Sequence, residues 1–115
     1  MKSKKFEQPR DVRFPYNRRG ELSYNGTRFL CLIQDISVSG LFIVCARDPD
    51  VGQELGVRFE LTPEYFHQCK IRVQHVENGC FGAEIIDVGK QENKIFRDYV
   101  EKRFRELKFR KTVGA

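Results

Sequence analysis

The side chains best suited to binding chemistry lie in one short polar segment, Asp35-Ile36-Ser37-Val38-Ser39-Gly40. It separates two apolar runs, 29–33 and 41–45. A carboxylate accepts hydrogen bonds, a hydroxyl donates and accepts them, and a glycine lets the backbone approach closely or take a positive φ. The same residue types also form tight turns through local backbone hydrogen bonds. The segment therefore predicts a polar turn, and a binding role is open beside the purely structural one.

A second set of candidate residues lies upstream and consists of arginines: Arg10, Arg13, Arg18 and Arg19. The first 19 residues hold seven Lys or Arg and two acids, with two prolines. A guanidinium group binds phosphate bidentately and stacks on flat rings. Together with the polar turn, these arginines predict a binding site for an anionic, planar ligand. The alternative is a solvated basic tail.

Short strands must position these groups. Polar and apolar residues alternate over 54–61 and 69–76, which is typical of half-buried strands and puts His75 on the core face. Asn25-Gly26 and Asn78-Gly79 predict hairpin turns. Strand signals separated by roughly 8–12 residues favour a β-sandwich or barrel.

The pattern changes period near the C-terminal end. Apolar residues between Ile95 and Leu107 recur at helical spacing, which predicts one amphipathic helix from Gln91 to Arg110. We therefore expect a flexible basic arm over 1–19, a β domain over 20–89 and a helix of the same domain over 90–110.

Bulk properties limit the function classes. The chain has 115 residues, which predicts one domain, and a net charge of +5, which weakly favours phosphate-bearing partners. Its four cysteines lack CxxC spacing and are expected to be reduced thiols, and neither metal-ligand spacing nor a catalytic motif is present. No secretory signal or apolar run of about 18 residues occurs. We expect a cytoplasmic protein that spans no membrane, holds no metal or cofactor and is not an enzyme.

The order of these features resembles the PilZ domain over roughly residues 7–106. Asp35, Ser37 and Gly40 match the family's Asp-x-Ser-x-x-Gly motif at every defined position. Arg13 resembles the second arginine of the family's Arg-x-x-x-Arg motif. The first motif position falls on Pro9, and Arg10 follows one residue later.

The resemblance implies a mostly β fold, a six-stranded antiparallel Greek-key β-barrel with a C-terminal α-helix. It also implies a receptor for the second messenger cyclic di-GMP that passes the signal to a downstream protein partner. The ligand-binding residues would be Arg10, Arg13, Asp35, Ser37 and Gly40, with Arg18 and Arg19 as secondary phosphate contacts.

Two other functions stay open at this point. A nucleotide-independent adaptor would use the same fold only for protein contacts. A nucleic-acid-binding barrel would use the positive charge, but such barrels expose aromatic rings on a strand face, whereas the Phe and Tyr residues here mostly fall on the core-facing phase. We therefore do not expect nucleic acid as a partner.

Overall fold

The structure, a computed structural model, describes residues 13–114 and the side chains of residues 13–106. Six strands precede one helix. The elements are β1 (Phe14–Tyr24), β2 (Thr27–Ile36), β3 (Gly40–Val44), β4 (Glu54–Thr62), β5 (Tyr65–Glu77), β6 (Cys80–Asp87) and α1 (Lys90–Gly114).

The strands form a closed antiparallel barrel in the order β1-β2-β3-β6-β5-β4. The first three strands are joined by hairpins, and β4 returns to pair with β1. This spatial order, 4-1-2-3, is that of a Greek key. The predicted six-stranded Greek-key barrel with a C-terminal helix is confirmed.

The hairpin between β1 and β2 turns at Asn25-Gly26, as predicted. Tyr24 pairs with Thr27, so the loop has two residues. Asn25 and Gly26 have φ values of 50° and 80°. Both residues are thus in the left-handed region, which is the geometry of a type I′ turn and matches the right-handed twist of the strands.

The predicted end of the N-terminal arm at residue 19 is wrong. β1 begins at Phe14, which pairs with Ile36, and Arg18 and Arg19 pair with Ile33 and Leu32. The polar residues of this part of β1 face outward, so strand pairing does not require an apolar sequence here. The arm prediction for residues 1–12 lies outside the described residues. At the other end, α1 continues to Gly114, four residues past its predicted limit.

The core fills the barrel and continues under the helix. Phe96 and Val100 of α1 are buried against it, each 1% exposed. The His67 ring is fully buried and stacks on Phe96, with 4.6 Å between the ring centroids. This contact joins β5 to the helix.

The core position predicted for His75 is wrong. The pairing of β5 with β6 shifts between Val73 and His75, as in a β-bulge. Val73 is buried, His75 is exposed, and Val76 is half-buried. The bulge adds a residue without a partner, and this moves His75 to the outer face.

Candidate ligand-binding groove

A groove of about 690 Å³ crosses the outer face of the barrel beside the β2–β3 turn. Its size lies within the range of about 300–1,000 Å³ that is common for small-molecule sites. The groove combines side chains of the turn and of three strands with one residue that precedes β1. The lining residues are Arg13, Ser37, Ser39, Gly40, Phe42, Gln74, His75, Gly82, Ala83 and Glu84.

The turn at one side of the groove is closed by Ser37. Its backbone N–H donates to the carbonyl oxygen of Gly40 over 2.9 Å. Its hydroxyl donates to the same carbonyl over 3.2 Å and accepts from the Gly40 N–H over 3.1 Å. Ser37 is only 3% exposed. The sequence left two roles open for this segment, turn formation and ligand binding. The Ser37 hydroxyl has the first of these roles.

Gly40 lies where β3 approaches β6 closely. A Cβ atom at this position would come within 2.6 Å of the carbonyl oxygen of Ala83. The φ angle of Gly40 is not in the left-handed region. The sequence offered two reasons for a glycine here, a positive φ or a close backbone approach. The second reason applies, and the backbone that comes close is that of β6.

Arg13 lies at the groove directly before β1. Phe14 pairs with Ile36, so the chain runs Arg13 alongside Ser37, and both residues line the groove. The side chain of Arg13 is exposed. The structure therefore brings together three of the predicted residues: Arg13, Ser37 and Gly40.

Asp35 lies one strand away from the groove floor. It is half-buried on β2 and is the cross-strand partner of Phe42, which lines the groove. On its other side Asp35 pairs with Pro15. Among residues 13–106, whose side chains the structure describes, its carboxylate has no hydrogen-bond or ion-pair partner.

The two secondary arginines do not line this groove. The Arg18 guanidinium lies over the ring of Tyr16, with its central carbon 5.5 Å from the ring centroid. Arg19 borders a different outer surface, next to Leu30 and Leu32. β1 leads away from the turn at roughly 3.3 Å per residue, which separates both arginines from Arg13. Arg10 lies outside the described residues.

The groove is also lined by side chains that were not predicted as site residues, among them Phe42, Gln74, His75 and Glu84. Phe42 was part of an apolar run, and only the strand register reveals that it alternates to the outer face. The other three are outward residues of β5 and β6 whose proximity depends on strand pairing. Ser39 of the turn and Gly82 and Ala83 of β6 complete the lining and were likewise not predicted as ligand contacts.

Glu84 gives the groove a carboxylate. It accepts a hydrogen bond from the Gln74 side chain over 3.1 Å and lies 3.9 Å from the Arg72 guanidinium. These groups are about half exposed, so the ion pair contributes little to stability. Arg13 also lines the groove, so the site offers both a cation and acceptors.

Within the described part of the chain, no group of three or more His, Cys, Asp or Glu side chains is arranged to hold a metal ion. The same residues include no helix with the length and apolarity needed to cross a membrane.

Solved structures of similar fold come from several bacteria. The inhibitor of motility MotI/DgrA of Bacillus subtilis has a TM-score of 0.70 at 16% identity, covering 80% of this chain and 48% of that protein. PlzA of Borreliella burgdorferi, solved in complex with c-di-GMP, has a TM-score of 0.57 at 16% identity, covering 77% and 39%. The PilZ domain of CeSA from a cellulose-synthesizing bacterium has a TM-score of 0.60 at 14% identity, covering 84% and 98%.

These identities support the fold alone. The chain spans about half the length of MotI/DgrA and a smaller share of PlzA. A search of curated proteins gives no match. The model of the PilZ domain family, however, matches residues 7–102, which is most of the chain. The protein belongs to the PilZ domain family.

Proposed function

We propose that this protein is a receptor domain for cyclic di-GMP that couples the level of this second messenger to a protein partner. The observation that carries the proposal is the groove in which Arg13 lies beside the Ser37–Gly40 turn. Family membership supports it, as does the similar fold of PlzA, whose structure contains c-di-GMP. The proposal includes a cytoplasmic location and no catalytic step.

The ligand's chemistry matches the groups at the groove. A guanine base presents O6 and N7 as acceptors, and a guanidinium fork such as that of Arg13 binds both. The N1–H and N2–H donors on the adjoining edge suit the carboxylate of Asp35, which has no partner among the described residues. Arg10 would add a second guanidinium to the ligand's phosphates or to a base face.

The floor of the groove suits a flat ring. A Cβ at Gly82 would meet only the Phe42 ring, at 3.9 Å, so nothing but a hydrogen covers the strand there. Phe42 is half-buried and presents an apolar surface. A base that lay over Gly82 would cover this surface, which adds hydrophobic free energy to the polar contacts.

The alternative is a nucleotide-independent adaptor, and one observation favours it. An outer surface of β2 and β3 exposes three aliphatic side chains: Leu30 at 69%, Leu32 at 36% and Val44 at 36%. Leu32 and Val44 are cross-strand partners, so these side chains form one apolar patch. Such patches mark contact sites for other proteins. This patch also fits the receptor hypothesis, in which a partner binds beside the groove.

Calorimetric titration with cyclic di-GMP tests the proposal. We expect binding to the wild type and a loss of at least about tenfold in affinity for Arg13→Ala, since charge-assisted hydrogen bonds contribute about 1.5–3 kcal/mol. Arg19→Ala is the matched control, because this exposed arginine borders the apolar patch and not the groove. It should bind like the wild type.

The two functions give different results in the same titration. If the wild type shows neither heat of binding nor amide shifts in NMR spectra on adding the nucleotide, the adaptor function replaces the receptor. If Arg13→Ala and Arg19→Ala lose affinity equally, the arginines contribute to binding through overall positive charge and not through contacts in the groove.

A further inference from the structure

Two cysteines face each other inside the barrel. Leu32 of β2 pairs with Val44 of β3, so the next pair in this register is Cys31 with Cys45. Both side chains belong to the core, with exposures of 7% and 6%. The sequence places them fourteen positions apart, and only the register reveals that they are neighbours.

The type of pair matters for the distance between the two thiols. The Cys45 N–H donates to the carbonyl oxygen of Gly79 over 2.9 Å, so the backbone of Cys45 points to β6 and away from β2. Cys31 and Cys45 are therefore a non-hydrogen-bonded pair, in which Cα atoms lie about 4.5 Å apart and side chains are close. Disulfides span Cα distances of about 4.4–6.8 Å.

The electrostatics of Cys31 agree with this proximity. Burial, and then the neighbouring Cys45, raise the pKa of the Cys31 thiol to about 12. Cys31 is thus protonated at neutral pH. A cavity at the end of the barrel is lined by Cys45 and not by Cys31, so the first attack on an oxidant is assigned to Cys45.

We propose that Cys31 and Cys45 form a reversible intramolecular disulfide when the protein meets a peroxide. A small oxidant can reach the pair from the end of the barrel. Cys45 lines the cavity there, of about 410 Å³, together with the core residues Leu22, Leu55 and Phe81.

The reaction needs only hydrogen peroxide. The Cys45 sulfur attacks one peroxide oxygen, the O–O bond breaks, and Cys45 becomes a sulfenic acid while water leaves. The Cys31 sulfur then attacks the Cys45 sulfur, the S–O bond breaks, and the hydroxide takes the Cys31 proton to form a second water. Two thiols are oxidised and one peroxide is reduced. An added dithiol reverses the bond by exchange.

The bond would close the chain around the candidate ligand turn. The segment between the two cysteines contains all of Asp35 to Gly40, and β2 and β3 would be joined at the end opposite the turn. Any effect on nucleotide affinity rests on the proposed function. The disulfide itself does not, and its test contains no nucleotide.

Peptide mapping of the full chain tests the proposal. Trypsin releases both cysteines in one peptide, 29–47, because no Lys or Arg lies between Arg28 and Arg47. After hydrogen peroxide treatment and alkylation, we expect this peptide to carry no alkyl group and to weigh two hydrogens less. A second cut before Asp35 should leave its halves joined until dithiothreitol is added. The proposal is overturned if the peptide carries alkyl groups on both cysteines, or if either cysteine is linked to Cys69 or Cys80.

Two variants are matched controls. Cys69→Ser removes a buried thiol that faces Val57, and Cys80→Ser removes a half-buried thiol that faces Val44. Both should form the same link, whereas Cys45→Ser should not. We also expect Tm of the oxidised wild type to rise by roughly 5–10 °C, because the closed loop restricts the unfolded chain. A Tm below that of the reduced form would overturn the claim that the native barrel accommodates the bond.

Discussion

The hydroxyl of Ser37 is bonded twice to the backbone of Gly40, as a donor to its carbonyl oxygen over 3.2 Å and as an acceptor from its N–H over 3.1 Å. The serine and the glycine of the polar motif therefore act on each other. They set the shape of the turn beside the groove, whereas the side chains of Arg13 and Asp35 have no hydrogen-bond partner among the described residues.

Ser37→Ala should lower the free energy of unfolding by about 1–3 kcal/mol, because the buried Gly40 N–H loses its acceptor. Denaturant unfolding followed by fluorescence or circular dichroism measures this loss. Ser39→Ala is the control, since Ser39 lies in the same turn with an exposed side chain. Equal stability of the two variants would contradict the turn-closing role of the Ser37 hydroxyl.

Gly40→Ala and Gly82→Ala should separate stability from binding. The new Cβ at position 40 would come within 2.6 Å of the Ala83 carbonyl oxygen, so β3 and β6 must move apart. We expect a loss of at least about 2 kcal/mol of stability or an insoluble protein. At position 82 the nearest atom is 3.9 Å away, on the flexible Phe42 ring, so the fold should be retained.

The same Gly82→Ala methyl group fills the floor of the groove. Its expected effect is a loss of cyclic di-GMP affinity with a Tm close to that of the wild type, measured by calorimetry and thermal unfolding. Unchanged affinity would mean that the ligand does not lie over β6.

Asp35→Asn should weaken cyclic di-GMP binding more than it destabilises the barrel. The carboxylate has no partner among the described residues, so its loss removes no contact within them. The amide keeps the shape but replaces one acceptor oxygen by a donor, which repels the N–H groups of guanine. A large fall in Tm with intact affinity would assign Asp35 a structural role.

The sequence predicted those parts of the fold that depend on local patterns. Asn-Gly at 25–26 specifies a tight hairpin, and alternation along β4 specifies its buried face, so both were correct. The start of β1 was missed because its outward residues are polar and its pairing with β2 is not visible locally. His75 was assigned to the wrong face because a bulge leaves no clear local signal.

In the candidate site too, the sequence indicated the local motif and not the residues that strand pairing brings near it. Its motif residues are close in sequence, and the structure brings Arg13, Ser37 and Gly40 to one groove. Phe42 and Glu84 meet there only through the register of β3 with β6, which pairs Gly40 with Glu84. Register depends on contacts between distant segments, so a single sequence did not indicate these residues.

Acid should destabilise the joint between the barrel and α1 through His67. Burial lowers the pKa of His67 from 6.5 to about 4, against a smaller opposing effect of Glu92. Both ring nitrogens lack hydrogen-bond partners among the described residues, and the ring stacks on Phe96. The unfolded chain therefore binds a proton near pH 6.5 that the folded protein accepts only near pH 4.

Stability from His67 is thus fully present above pH 6.5, declines as the pH falls to about 4, and changes no further below that. The expected total loss is about 2–4 kcal/mol, since each pKa unit corresponds to about 1.4 kcal/mol. Denaturant unfolding of the wild type and His67→Leu across this pH range measures it. Carboxylates titrate in both proteins, so the difference between the two curves isolates the histidine. Parallel curves for wild type and His67→Leu would show that His67 does not couple protonation to folding.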